Sequence, residues 1–210
     1  MVDVAAAADQ RRLEDLPMVG IASVARSWPA TVRIAVTSRT GVAVVGAGGG
    51  REVVDRTGRV LAMGPAVGVG LPVLNAQVHP VTAGSWLSGS AGPGGAALAL
   101  TAPGKGAAPT VQPSRPLAAE LALAASFGPA LEGQIQSVSV SPTDGLTASV
   151  GSITVIFGDA NQLLSKVSGL AAVLAHGSLS GVTRIDLSVP DRPALSGGGS
   201  PTSSPAGGQG

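Results

Sequence analysis

Residues 134–157 constrain the fold more than any other stretch of this chain. Three short runs, 134–140, 146–150 and 153–157, alternate apolar and polar side chains, as in Leu146, Ala148 and Val150 against Thr147 and Ser149. A period of two marks a strand with one face in the core and one in water. Thr143-Asp144-Gly145 and Gly151-Ser152 separate the runs and leave room only for tight reversals. An antiparallel meander is predicted, and the other elements must be placed against it.

Helices are predicted on both sides of the meander. Residues 116–126 open with Pro116, favourable at a first helical position, and carry Leu117, Leu121 and Ala124 on one face. Asp159 reads as an N-cap, with Gln162 completing a capping box. The helix that follows has an apolar stripe of Leu163, Leu164, Val167, Leu170, Ala171 and Leu174, and Gly177 ends it. The last strand alternates Ile185, Leu187 and Val189 inward with Arg184, Asp186 and Ser188 outward, and Pro190 closes it.

The first half reads differently. Residues 5–16 favour a helix stopped by Pro17, followed by strands at 19–26 and 31–37 around the turn Ser27-Trp28-Pro29-Ala30. In the second strand Val32, Ile34 and Val36 alternate with Arg33, Ala35 and Thr37, so a half-buried strand is predicted. A short strand at 41–45 runs into the glycines at 46–50. Glu52-Val53-Val54 and Arg59-Val60-Leu61 flank Asp55-Arg56-Thr57-Gly58, a hairpin signal in which glycine supplies the positive φ. Leu71-Pro72-Val73-Leu74 reads as a short edge strand, because proline lacks a ladder donor. Residues 75–115 are rich in Gly, Ala, Ser and Pro without a period and read as a flexible insert. Residues 196–210 read as a disordered tail. The fold class is α+β.

Composition narrows the function. With 13 basic and 12 acidic residues the net charge is +1, so no basic face is available for nucleic acid. Cysteine is absent, which removes disulfides, thiol catalysis and thiolate metal sites. Met1 leads straight into Val2-Asp3-Val4 without the basic start of a signal peptide. From Val60 to Val78 nineteen residues carry no charge, close to a membrane span in length, but Gly64, Pro65, Gly68, Gly70 and Pro72 interrupt them. The chain as it stands is expected to be soluble.

Catalytic signals are weak. Val42-Ala43-Val44-Val45-Gly46-Ala47-Gly48 looks like the opening of a dinucleotide site. Arg51 stands where a third small residue is needed, however, and Ala66 stands about where the ribose-binding acid would be. His79 and His176 are far apart and have no carboxylate at ligand spacing. Ser88 has glycine on one flank only, which is not a nucleophile elbow. Asp55 and Asp144 belong to turns, Asp159 to a cap, Glu14 and Asp15 to a helix end, and Lys105 is isolated. No catalytic, cofactor-binding or metal-binding residue is predicted.

Leu16-Pro17-Met18-Val19, followed by Arg26-Ser27-Trp28-Pro29-Ala30-Thr31-Val32-Arg33-Ile34, resembles a known family. The two blocks look like the end of the polypeptide-transport-associated (POTRA) domain of the FtsQ/DivIB proteins of bacterial cell division. Val53-Val54-Asp55-Arg56-Thr57-Gly58-Arg59-Val60 and Leu71-Pro72-Val73-Leu74 are similar to the start of that family's β domain. Phe157-Gly158, a helix containing Lys166, and Arg184-Ile185-Asp186-Leu187 before Pro190 continue the resemblance in the family's order.

The resemblance implies an incomplete POTRA unit (helix-strand-strand) over residues 1–40. A mostly antiparallel β domain with packed helices follows over 41–195, with the insert at 75–115. It implies a divisome scaffold without catalysis that binds FtsB/DivIC- and FtsL-like coiled-coil proteins and supports septal wall synthesis. The setting implied is extracytoplasmic, at the septal membrane, through an anchor not present in this chain. On this reading the chain begins inside the POTRA domain, and translation is expected to start upstream of Met1, a truncated relative being the alternative. Partners are expected to add a strand to the sheet. The last strand, Thr183, Arg184, Ile185, Asp186, Leu187, Ser188 and Val189, is the candidate edge for that addition. Alternative functions are a POTRA-containing protein-transport component and a dinucleotide-binding enzyme.

Overall fold

The structure, a computed structural model, describes residues 6–27, 31–47, 50–76, 82–87, 116–128, 130–176 and 179–197. The first unit consists of α1 (Ala6–Glu14), β1 (Val19–Ser27) and β2 (Thr31–Ser38). β1 and β2 pair antiparallel, with Val24 opposite Ile34 and Ala22 opposite Val36. α1 packs on β1, where Ala22 is buried and its N–H donates to Glu14 Oε1 at 3.3 Å. β2 corrects its predicted half-burial: all eight of its residues are exposed. A single short helix covers one strand of the pair, and no described element lies over Val32, Ile34 and Val36.

Among the described residues, the remaining strands form one sheet of nine. In chain order these elements are β3 (Gly41–Ala47), β4 (Gly50–Asp55), β5 (Val60–Gly64), β6 (Val73–Leu74), α2 (Pro116–Ser126), β7 (Ile135–Ser141), β8 (Gly145–Val150), β9 (Ile153–Gly158), α3 (Leu163–His176), β10 (Val182–Asp186) and β11 (Ala194–Gly197). The spatial order is β11-β10-β9-β8-β7-β6-β3-β4-β5. Parallel joints occur only where α3 or a long connection intervenes, at β9/β10, β3/β6 and β6/β7, and the other pairs are antiparallel. The predicted meander is present as β7-β8-β9, and the molecule is α+β.

α2 and α3 cover one face of the sheet. The core between them holds Val45, Val54, Leu123, Val138, Val155, Phe157, Leu170 and Ile185. A smaller cluster of Val44, Val53 and Leu61 takes the alternate side chains of β3 and β4, and Val67 and Leu71 pack against it. Contrary to the one-faced helix predicted for residues 116–126, α2 is buried nearly all round. The small side chains at Ala118, Ala119, Ala122 and Ala124 let it sink between neighbours.

Four further expectations change. Leu71-Pro72-Val73-Leu74 is not an edge: β6 lies mid-sheet, parallel to β3 and β7. Pro72 is tolerated because it precedes the strand and offers its carbonyl to Val44 N–H at 2.9 Å. Part of the 75–115 insert is ordered along β5, where Val60 N–H donates to Ser85 O, Arg59 bridges Trp86, and Leu87 is buried. The capping box at Asp159 does not form. Gln162 has φ 53°, α3 starts at Leu163, and the Asp159 carboxylate instead holds Asn161 and Lys166.

The last expectation concerns the end of the sheet. β10 is not the edge, because β9 flanks it on one side and β11 on the other. β10 ends at Asp186, ahead of Pro190, and the chain turns back through Arg192 N–H on Val189 O at 3.1 Å and adds one more strand. β11 therefore takes Ser196 and Gly197 out of the predicted tail. The rest of that tail, the turn residues Trp28 to Ala30, Lys105, Ser88, His79 and the side chain of His176 lie outside the described residues.

Candidate partner-binding edge

Of the predicted edge residues, Thr183, Arg184, Ile185 and Asp186 lie in β10, and Leu187, Ser188 and Val189 follow it. Leu187 N–H still bonds Ile156 O at 2.7 Å, so the ladder with β9 runs one residue past the strand. The predicted alternation holds for Ile185 and Leu187, which are fully buried, whereas Val189 is exposed. Thr183, Arg184 and Ser188 are exposed. These side chains present no continuous free rim, since both backbone sides of β10 are occupied.

The rim at this end belongs to β11. Its four residues, Ala194 to Gly197, are all exposed, and Leu195 stands opposite Ile185. Because paired residues share a face, Leu195 lies on the helix-covered side, at its outer margin. Val189 and Leu195 are both large apolar side chains about half exposed, at 56% and 45%. Gly197 lies so close to the Gly181 carbonyl that a Cβ would collide with it. At the opposite end of the sheet, segment 84–87 already bonds to the start of β5.

Charged groups brace this end of the sheet. Lys166 is buried within α3 and donates to Phe157 O at 2.8 Å, Asp159 O at 2.9 Å and Asp159 Oδ1 at 2.6 Å. Burial raises the Asp159 carboxyl pKa, but hydrogen bonds from Lys166 and Asn161 outweigh it and hold the group below its ordinary value. The Ser188 backbone N–H, then its side chain, likewise hold the Asp186 carboxyl low. Arg184 Nη2 lies 2.8 Å from Asp144 Oδ1 and ties β10 to the β7–β8 turn. A cavity of about 580 Å³ opens beside this turn between Pro116, Val140, Asp159 and Asp186. Its carboxylates are engaged by Arg184, Lys166 and Ser188.

Sequence reasoning missed a buried charge in each of the two helices that cover the sheet. Glu120 in α2 is buried, accepts Val140 N–H at 3.1 Å, and is pushed by desolvation up to about 7 against the pull of the Val140 and Ala76 amides. Lys166 was visible only as part of the family resemblance. The signal was available in both helices: Leu117, Glu120, Leu121, Ala124 and Leu163, Lys166, Val167, Leu170 keep the i, i+3, i+4, i+7 spacing. Each charge therefore sits inside an apolar stripe.

The glycine-rich segment offers no helix to a phosphate. β3 pairs antiparallel with β4, with Ala47 opposite Gly50, so the next described element after β3 is a strand. Among the described residues no group of three His, Cys, Asp or Glu is placed to hold a metal ion. No described helix is long and apolar enough to cross a membrane.

No curated protein matches the chain. The family model for the C-terminal region of cell division protein FtsQ/DivIB matches residues 43–188, from β3 to just past β10. The fold agrees with the order of motifs in the sequence, strand pairs first and the helix with Lys166 before the closing strands. The match spans most of the chain and eight of the nine strands of the large sheet, all but β11, and the chain therefore belongs to the FtsQ/DivIB family of cell division proteins.

Proposed function

We propose that this chain is a non-catalytic divisome scaffold that captures FtsB/DivIC- and FtsL-like partners by strand addition beyond β11. The observation that carries this reading is the outer strand itself. Ala194 to Gly197 are exposed throughout, and β10 is their only described strand neighbour. An incoming strand gains main-chain hydrogen bonds from β11 and specificity from side chains beside Leu195 and Val189. The role first read into Thr183 to Val189 becomes indirect: β10 carries the strand to which the partner adds. The α1–β1–β2 unit is read as the end of a POTRA domain, and the scaffold is read as working at the septal membrane.

The test is calorimetric titration of the chain with a purified FtsB/DivIC–FtsL-like pair from the same cell. Ser196→Pro removes a backbone donor from β11 and is expected to weaken binding by about tenfold or more. Its circular dichroism should match the parent. Unchanged affinity in Ser196→Pro, or no binding by the parent chain, overturns the proposal.

A further inference from the structure

We propose that Arg59 is a clamp that fixes the orientation of the α1–β1–β2 unit on the nine-stranded sheet. No side chain of α1, β1 or β2 belongs to either hydrophobic cluster of the sheet. Among the described residues the hydrogen bonds between the two parts fall on one short segment, residues 14–19, which runs from the end of α1 to the first residue of β1.

The main-chain carbonyls of that link point at two arginines. Arg59 Nη1 donates to Glu14 O at 3.1 Å, and Nη2 donates to Asp15 O at 2.9 Å and Leu16 O at 3.4 Å. Glu14 O is one of the carbonyls a helix leaves unpaired at its C-terminal end, where a cation is favoured; Asp15 O and Leu16 O lie just past that end, and Leu16 O also accepts the Val19 N–H at 3.1 Å. Arg39 holds the far end of the link: its Nε donates to Val19 O at 2.9 Å, and its backbone N–H to Met18 O at 2.8 Å.

The arginines are themselves held in place. Asp55 is buried at the end of β4. Its Oδ2 lies 2.6 Å from Arg39 Nη1, and its Oδ1 accepts the Arg59 backbone N–H at 3.0 Å. The Arg59 guanidinium is stacked 4.8 Å from the Trp86 ring, and Arg59 is buried. A planar fork packed against a ring loses little further freedom when it bonds three carbonyls, so the grip is stiff. Because little apolar area backs it, release of this grip frees the first unit without exposing the core of the sheet. Orientation and sheet stability are therefore separable, which distinguishes a clamp from a core residue. The inference does not depend on the identity of any partner.

The absence of cysteine gives a clean test in the full chain. Spin labels at Ser23→Cys on β1 and Gln136→Cys on β7 occupy exposed positions on the two parts. Pulsed electron resonance should give a narrow distance distribution for this pair. Adding Arg59→Gln should widen the distribution roughly twofold or more while amide exchange in β7–β9 stays unchanged. Arg59→Lys, whose single ammonium does not span three carbonyls, should widen it less. A broad distribution in the parent, or an unchanged one in Arg59→Gln, overturns the clamp. Should Arg59→Gln lose the exchange protection of the sheet, Arg59→Lys decides: widening over an intact sheet supports the clamp, and an unwidened distribution or a lost sheet overturns it.

Discussion

Lys166 Nζ lies 2.6 Å from Asp159 Oδ1, and the same ammonium donates to the carbonyls of Phe157 and Asp159. One buried cation thus ties the end of β9 to the first turns of α3. The Asp159 side chain is 63% exposed, so the ion pair itself is screened. The larger effect is satisfaction of two carbonyls where the chain leaves the sheet. Gly158 between them has φ 69°, so the turn depends on both the glycine and the lysine.

Lys166→Met should keep the packing of α3 and leave those carbonyls without their donor. The expected loss is about 2 kcal/mol, mostly the cost of unpaired polar groups. Urea unfolding followed by circular dichroism measures it. Amide exchange should accelerate first in the connection between β9 and α3.

Glu120 gives the molecule a specific pH dependence. Its carboxyl rises from 4.5 in the unfolded chain to about 7 in the fold, because burial disfavours the charge. The unfolded chain therefore releases this proton first. The stabilising contribution is complete below 4.5 and is lost as pH rises through about 7. Glu120→Gln removes the titration and should gain up to about 3 kcal/mol over the parent across that rise. Asp55, Asp159 and Asp186 are held low and act oppositely, losing stability in acid. Comparing the two proteins by urea midpoint at each pH isolates Glu120.

Gly145 and Gly151 separate two costs of adding a methyl group. Both have positive φ, 70° and 58°. A Cβ on Gly145 runs into the Gly158 carbonyl of β9, while one on Gly151 meets nothing within 4 Å. Gly151→Ala should cost about 1 kcal/mol from the left-handed backbone alone. Gly145→Ala should cost about 3 kcal/mol, since the strand pair has to shift as well. Thermal unfolding of both variants checks the difference.

Much of this architecture was legible before any coordinates. Alternation located β7, β8 and β9, and Gly145 and Gly151 marked their turns, because strand period and left-handed turns are local properties. Pro116 marked the start of α2 for the same reason. Failures came where a residue's surroundings are supplied by distant chain. Nothing in the pattern of Val32, Ile34 and Val36 says that no described element will cover them. Nothing in Leu71-Pro72-Val73-Leu74 says whether a neighbour waits on one side or two.

The sequence by itself determined the α+β class, the meander, the presence of the helices before and after it and the family, since each is written in local period or in ordered motifs. Tertiary structure alone decided that β11 rather than β10 ends the sheet, that Arg59 reaches the carbonyls after α1, and that Glu120 is buried charged or neutral according to pH. These depend on segments separated by tens of residues meeting in space, and local spacing carries no record of which strand finds the last open row of hydrogen bonds.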